Sequence, residues 1–241
     1  MNRPKKERLT PLDGLIFDMG DVLYDATVWR RWLVQLLHRM GLHTRYRSFF
    51  KVWDEEYLDD VHRGRREHGE AFQAFLLAVG LSRGQIDEVV AASHARKREI
   101  EAGTRALPGV RETIARLSQQ GVVLSVLSDS EYTSEVLHAR LVKLGLGGRF
   151  TAAISSFDLE RTKPDPVCYR AALTAMGMRA DQVAFVGHDA DELAGARAVR
   201  LRTLAFNFEP GAKADSFLSR FEELLDYVGR AARDTEYQGA A

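Results

Sequence analysis

Several features that would narrow the class of this protein are scarce or absent in its sequence. The 241 residues contain one cysteine, Cys168, so no disulfide can form within the chain and a reducing compartment is expected. Lysine plus arginine equals aspartate plus glutamate at 34 each, and this zero net charge does not favour nucleic-acid binding. No apolar run approaches the roughly 20 residues of a membrane span, and residues 1–8 lack the apolar segment of a signal peptide. We therefore expect a cytoplasmic protein that binds neither nucleic acid nor membranes.

The rest of the composition is ordinary for a globular protein, with 45% hydrophobic and 28% charged residues. Five short apolar runs predict buried strands of a parallel sheet, at residues 15–17, 122–127, 151–154, 183–186 and 203–206. Helical patterns lie between the later runs, and several of them end at a glycine, as helix C-caps do. This alternation predicts an α/β fold with a doubly wound, Rossmann-like parallel sheet.

Residues 26–105 interrupt the alternation. They contain no convincing strand pattern, and apolar residues recur at helical spacing, as at Trp29, Trp32 and Leu36. We predict a small helical domain at residues 26–105, inserted into a core formed by residues 1–25 and 106–241. Residues 230–241 are polar and small, and we expect them to be frayed.

The first predicted strand leads directly into Asp18, and Gly20 and Asp21 follow in an acidic turn. Ligands of open α/β sheets bind beyond the carboxyl ends of the strands, so Asp18 lies where chemistry is usually carried out. After the second strand, Ser128 and Asp129 precede a helix whose N-terminus can bind an anion, or they simply cap that helix.

Charged residues also follow the third and fourth strands. Lys163 lies in a segment stiffened by two prolines, where it either neutralises a phosphate and a carboxylate or points into solvent. Asp189 and Glu192 follow the fourth strand, and their oxygens suit Mg²⁺, although acids at a helix N-terminus also complement its dipole. Next to them, His188 is either a base or an ordinary loop histidine.

In this order, the four segments resemble the motifs of the haloacid dehalogenase-like hydrolase superfamily, over about residues 12–25 and 107–206. The resemblance implies that the inserted helices form a cap and that the protein is a Mg²⁺-dependent phosphatase of a small phosphorylated metabolite. It implies that Asp18 is the nucleophile that forms an aspartyl-phosphate. Ser128, with Asp129 beside it, would bind the phosphate, and Lys163 would stabilise Asp18 and the phosphate charge. The implied metal ligands are Asp18, the Gly20 carbonyl, Asp189 and Glu192.

Two positions depart from the family pattern. Typical phosphatases carry a second aspartate where this chain has Gly20, and that aspartate protonates the leaving oxygen. General acid–base help is worth about 10²–10⁴ in rate, so either Asp21 replaces the missing acid or the substrate has a good leaving group. His188 stands where many relatives carry an acid.

Three functions are therefore compared. The first is a phosphomonoester hydrolase that is slow or specialised. The second is a metal-independent enzyme like the haloacid dehalogenases, which also lack the second aspartate. The third is a non-catalytic protein that binds phosphorylated ligands and regulates other processes. The sequence carries no signature of the substrate or of the oligomeric state.

Overall fold

The computed structural model describes residues 11–228, and these contain one sheet of six parallel strands in the order β3-β2-β1-β4-β5-β6. The strands are β1 (Gly14–Phe17), β2 (Val123–Ser128), β3 (Ala152–Ser155), β4 (Val183–Gly187), β5 (Arg202–Phe206) and β6 (Ser216–Leu218). The predicted parallel sheet is thereby confirmed. The sequence did not predict β6, because this edge strand has three residues and its central Phe217 is 47% exposed.

Residues 28–103, which follow β1, are largely helical, as predicted. The helices are α1 (Val28–Arg39), α2 (Tyr46–Val52), α3 (Asp59–His62), α4 (His68–Ala78) and α5 (Arg83–Gly103), with a π-helical segment, Trp53–Leu58, joining α2 to α3. These helices, called the insert below, enclose a cluster of buried apolar side chains centred on Trp53, Phe72 and Phe75. The further prediction that residues 26–105 form a separate domain stays a prediction.

The remaining helices cover both faces of the sheet. They are α6 (Val110–Gln119), α7 (Ser134–Lys143), α8 (Ser156–Leu159), α9 (Pro166–Met176) and α10 (Ala190–Ala198). Side chains of α6 and α7 pack on the face that includes Phe17, whereas α9 and α10 pack on the face that includes Ile16. Successive residues of β1 thus point to opposite faces, and both faces are buried, as in other doubly wound sheets.

The strand register brings the predicted site residues to one edge of the sheet. Phe17 of β1 pairs with Val126 of β2 and with Val186 of β4, and the Asp18 backbone N–H donates to the Val186 carbonyl at 2.9 Å. The strand order reverses at β1, and this is the place where such sheets bind ligands. Asp18 therefore follows the strand at the switch point.

Three other predictions concern the chain as a whole. Cys168 is buried in α9, and burial raises the pKa of its thiol to about 12, which suits a packing role. Among residues 11–228, no helix combines the length and the apolar composition that crossing a bilayer requires. The predicted fraying of residues 230–241 falls outside the described residues, and a cytoplasmic location stays a prediction.

Candidate active site

Asp18 and Lys163 form a buried ion pair at the carboxyl edge of the sheet. Lys163 Nζ lies 2.6 Å from Asp18 Oδ1, and Asp18 is 5% exposed. Burial acts to raise the pKa of Asp18, but the charge of Lys163 and the contact with His188 overcome it and lower the pKa to about 2. Asp18 is therefore an ionised carboxylate over the whole neutral range, as a nucleophile must be.

Glu192 and His188 complete the surroundings of this pair. Glu192 Oε1 lies 2.9 Å from Lys163 Nζ, and His188 Nε2 lies 3.4 Å from Asp18 Oδ2. Burial raises the pKa of Glu192 to about 8, because Lys163 only partly offsets the loss of solvation. Burial acts to lower the pKa of His188, yet the hydrogen bond and charge of Asp18 raise it to about 9. Two basic and two acidic side chains thus meet at the end of β1.

Ser128 is the last residue of β2 and Asp129 follows it, and both border the same cavity as Asp18. Neither residue caps α7, because Thr133 occupies the N-cap position of that helix. Asp129 Oδ1 instead accepts a hydrogen bond from the Lys163 backbone N–H at 3.1 Å, and burial raises the pKa of Asp129 to about 6. Asp129 therefore holds the lysine segment, and the Ser128 hydroxyl stands beside the cavity. Their predicted role in phosphate binding stays a prediction.

The left-handed backbone conformation, which is usually adopted by glycine, is found at Asp21 and not at Gly20. Asp21 adopts a left-handed conformation with φ of 54°, whereas Gly20 does not lie in that region. The Asp21 carboxylate accepts a hydrogen bond from the Ala26 N–H at 2.9 Å, and its carbonyl accepts one from Asn207 at 3.0 Å. Asp21 borders the cavity, but in this conformation its side chain secures the start of the insert.

Oxygen donors for a divalent cation are present at this edge. Glu192 Oε2 is buried without a hydrogen-bond donor, so a cation would satisfy an otherwise unpaired oxygen. Asp189 uses its Oδ1 to cap α10, where it accepts from the N–H groups of Asp191 and Glu192. Residues 11–228 contain no group of three or more His, Cys, Asp or Glu side chains placed to hold a metal. Mg²⁺ needs fewer protein side chains than this, because it binds through one or two carboxylates together with waters and substrate oxygens. The oxygen donors at this edge fit such a site.

The insert supplies one wall of the cavity, which has a volume of about 580 Å³. Sequence reasoning did not identify the polar residues of this wall, which are Arg30, Tyr46, Asp54, Asp59 and His62. They come from four helical segments, with Asp59 and His62 both in α3, and no spacing in the sequence shows that the segments meet. By contrast, the neighbouring Arg65 and Arg66 do not border the cavity; Arg65 lies near Asp60 and Arg66 over Tyr57.

The insert also touches the segment that carries Lys163. The Thr162 hydroxyl donates to Asp59 Oδ1 at 2.8 Å and accepts from Arg63 at 3.1 Å. Nearby, the Ser156 hydroxyl donates to the His62 carbonyl at 2.8 Å. The insert is thus hydrogen-bonded to the segments that follow β3.

Two half-buried histidines of the insert give the protein a pH-dependent stability. Burial lowers the pKa of both His62 and His68 from 6.5 to about 4. Below pH 6.5 the unfolded chain binds protons that the folded chain does not bind until about pH 4. The free energy of unfolding should therefore rise by about 1–3 kcal/mol per histidine between pH 4 and pH 6.5. This contribution is lost as the pH falls toward 4.

Urea unfolding at pH 4.5 and pH 6.5 measures this difference. His62→Gln and His68→Gln should each reduce it, whereas His43→Gln, at an exposed position, should not. Comparison with the variants separates the histidine contribution from that of the carboxyl groups. If the free energy of unfolding changes with pH as in the wild type in both His62→Gln and His68→Gln, the prediction is wrong.

Comparisons with known proteins agree with this geometry. A family model described as haloacid dehalogenase-like hydrolase matches residues 12–200. A phosphoglycolate phosphatase of Pectobacterium atrosepticum is 26% identical over 233 residues, which cover 93% of this chain and 95% of the relative. An (S)-2-haloacid dehalogenase 4A of Burkholderia cepacia is 31% identical over 102 residues, 42% of this chain and 43% of the relative.

A solved structure resembles the whole fold. The crystal structure of a subfamily IA hydrolase of the same superfamily from Geobacter sulfurreducens superposes with a TM-score of 0.64 at 19% identity. The match covers 90% of this chain and 97% of that structure. At this identity the likeness shows the fold alone.

Proposed function

The chain belongs to the haloacid dehalogenase-like hydrolase family, and within that family we propose that it hydrolyses small phosphomonoesters with Asp18 as the nucleophile. The observation that carries the proposal is the buried Asp18–Lys163 pair at the mouth of a polar cavity. The named activity of the Pectobacterium atrosepticum relative, which matches nearly the whole chain, supports the same reaction class.

The first step is attack of Asp18 on phosphorus, which forms an aspartyl-phosphate and releases the alcohol of the substrate. Lys163 holds the attacking carboxylate in place and neutralises charge on the phosphoryl oxygens. Ser128 binds one of those oxygens through its hydroxyl. Water then hydrolyses the acyl-phosphate, releasing phosphate and restoring Asp18. Phosphoryl transfer depends mainly on such positioning and charge neutralisation.

We propose Mg²⁺ as the cofactor, held by Asp18, the Gly20 carbonyl and Glu192, with Asp189 as a further oxygen donor. The unpaired Glu192 Oε2 supports this assignment. When bound, the cation supplies positive charge to the transferring phosphoryl group.

The proposal is tested by trapping the intermediate. Protein incubated with a reactive phosphomonoester such as acetyl phosphate is quenched in acid and digested, and the peptides are analysed by mass spectrometry. We expect phosphate on the peptide that contains Asp18, and turnover of at least one phosphomonoester in a panel. Binding of phosphate compounds without a phosphopeptide and without turnover would favour the non-catalytic alternative. Halide release from 2-chloropropionate that EDTA does not affect would favour the dehalogenase alternative.

Gly20→Asp is expected to raise turnover of substrates with a poor leaving group by about 10- to 100-fold, because it supplies the missing proton donor. The backbone at Gly20 accepts a side chain, but a Cβ there would lie 3.2 Å from the Ala26 Cβ. Gly20→Asp should therefore also be measured with Ala26→Gly, which provides room. Initial rates with an alkyl phosphate and with 4-nitrophenyl phosphate check the prediction.

The gain should be large for the alkyl phosphate and small for the aryl phosphate, whose leaving group needs little protonation. If Asp21 already supplies the proton, Asp21→Asn will lower turnover and Gly20→Asp will add little. Equal gains on both substrates contradict the explanation based on a missing acid.

A further inference from the structure

Among the residues that the structure describes, the wall that the insert presents to the cavity contains no uncompensated cation. Arg30 donates to both oxygens of Asp54, at 2.7 and 2.6 Å, and its guanidinium stacks on Phe50 at 4.8 Å from the ring centroid. This two-bond geometry fixes the guanidinium and neutralises its charge. Arg30 is therefore not free to bind a carboxylate of a substrate.

The other basic groups around the cavity are also engaged. Lys163 lies between Asp18 and Glu192, His188 contacts the other oxygen of Asp18, and both basic groups belong to the phosphate end. Arg63 of the insert is bound to Asp59 at 3.0 Å and to Thr162. Nothing in the described wall of the insert offers a second anion a positive partner.

The remaining groups of the wall suit hydroxyl groups. The carboxylates of Asp54 and Asp59 are paired with Arg30 and Arg63, so this part of the wall is electrically neutral, and their remaining lone pairs can accept hydrogen bonds from hydroxyl groups. The Tyr46 hydroxyl borders the cavity and makes no protein hydrogen bond among the described residues. His62, which burial keeps neutral at neutral pH, adds an imidazole that both donates and accepts.

We propose that the substrate carries an uncharged group with several hydroxyls next to its phosphate, as polyol and sugar phosphates do, and that phosphorylated carboxylic acids are disfavoured. This inference rests on the proposed phosphatase function and specifies its substrate class. The proposed substrate class differs from the substrate named for the Pectobacterium atrosepticum relative, because phosphoglycolate bears a carboxylate beside the phosphate.

Two matched pairs of substrates test the proposal. Glycerol 3-phosphate and 3-phosphoglycerate have the same length, as do 2-hydroxyethyl phosphate and 2-phosphoglycolate, and each pair exchanges a hydroxymethyl group for a carboxylate. We expect kcat/KM to be at least about 10-fold higher for the neutral member of each pair, because the carboxylate of the other member would lose its solvation without gaining a positive partner. A preference for the carboxylates would overturn the proposal.

Asp54→Asn is the informative variant. It should release the charge of Arg30 and move the ratio of kcat/KM by about 10-fold toward the carboxylate substrates. Asp60→Asn is the control, because Asp60 is exposed on the same stretch of helix and does not border the cavity. It should leave the ratio unchanged. An unchanged ratio in Asp54→Asn would also overturn the proposal.

Calorimetry with the Asp18→Asn protein gives a second readout that needs neither turnover nor a stable Asp54 variant. Its affinity for glycerol 3-phosphate should exceed that for 3-phosphoglycerate, and the reverse order would overturn the proposal. If no phosphomonoester is hydrolysed faster than by Asp18→Asn, the proposed phosphatase function fails. The calorimetric order then still decides which ligand class this cavity prefers.

Discussion

Asp18→Asn is expected to reduce phosphatase turnover by about 10⁴-fold or more, because an amide cannot attack phosphorus and form the covalent intermediate. The loss should appear in kcat, since Lys163 and Ser128 remain to bind the phosphate. Initial rates on the best substrate of the panel, together with loss of the phosphopeptide, provide the measurement. Folding should be preserved, because Lys163 keeps its contact with Glu192 at 2.9 Å.

Asp13→Asn is the matched control for this variant. Asp13 is an exposed carboxylate just before β1, at the opposite end of the same strand, and it lies near Gln182. Its replacement should leave turnover within about 2-fold of the wild type, since an exposed change far from the site alters little. Comparable rates for Asp18→Asn and the wild type would contradict the assignment of the nucleophile.

Lys163→Met is expected to lower both activity and stability. The lysine side chain is fully buried, so its removal leaves Asp18 and Glu192 without their shared partner. Breaking a buried ion pair on one side typically costs about 3–5 kcal/mol, and turnover should fall by about 10³-fold as the phosphate loses its counter-charge. Urea unfolding measures the first effect and initial rates measure the second.

A surface pair provides the contrast. Lys51 lies 3.7 Å from Glu55 with its side chain 70% exposed, so Lys51→Met should change the free energy of unfolding by less than about 1 kcal/mol. Adding Asp18→Asn to Lys163→Met removes one of the unpaired charges and should restore part of the lost stability. If Lys163→Met is as stable as the wild type, the buried pair does not contribute in the manner described.

The sequence predicted the residues at the carboxyl edge of the sheet better than those of the wall opposite it. Asp18, Ser128 and Lys163 each follow an apolar run, and parallel strands bring their carboxyl ends together, so order along the chain translates into proximity. The same logic did not reveal Arg30 or Asp54, because the angles between helices depend on tertiary packing. Asp54 also lies in a π-helical segment, whose altered turn changes the direction of its side chain.

The roles of Asp189 and Asp129 could be assigned only from the structure, because each position in the sequence is compatible with two roles. For Asp189, the helix-capping interpretation and the metal interpretation predict the same sequence, and the structure shows the cap. For Asp129, its position in the sequence favoured helix capping, but Thr133 takes that place and Asp129 binds the Lys163 backbone. The exchange at Gly20 and Asp21 was visible in the sequence, whereas the anchoring of Asp21 to Ala26 was not.

The hydrogen bonds from Asp59 and Arg63 to Thr162 have a mechanical consequence. Thr162 directly precedes Lys163, so movement of the insert away from the sheet would break these hydrogen bonds and leave the Asp129 carboxylate to hold the Lys163 segment. Opening of the insert would then loosen the segment that directs the Lys163 ammonium group toward Asp18. The Asp18–Lys163 pair is therefore held most firmly while the insert stays bonded to Thr162.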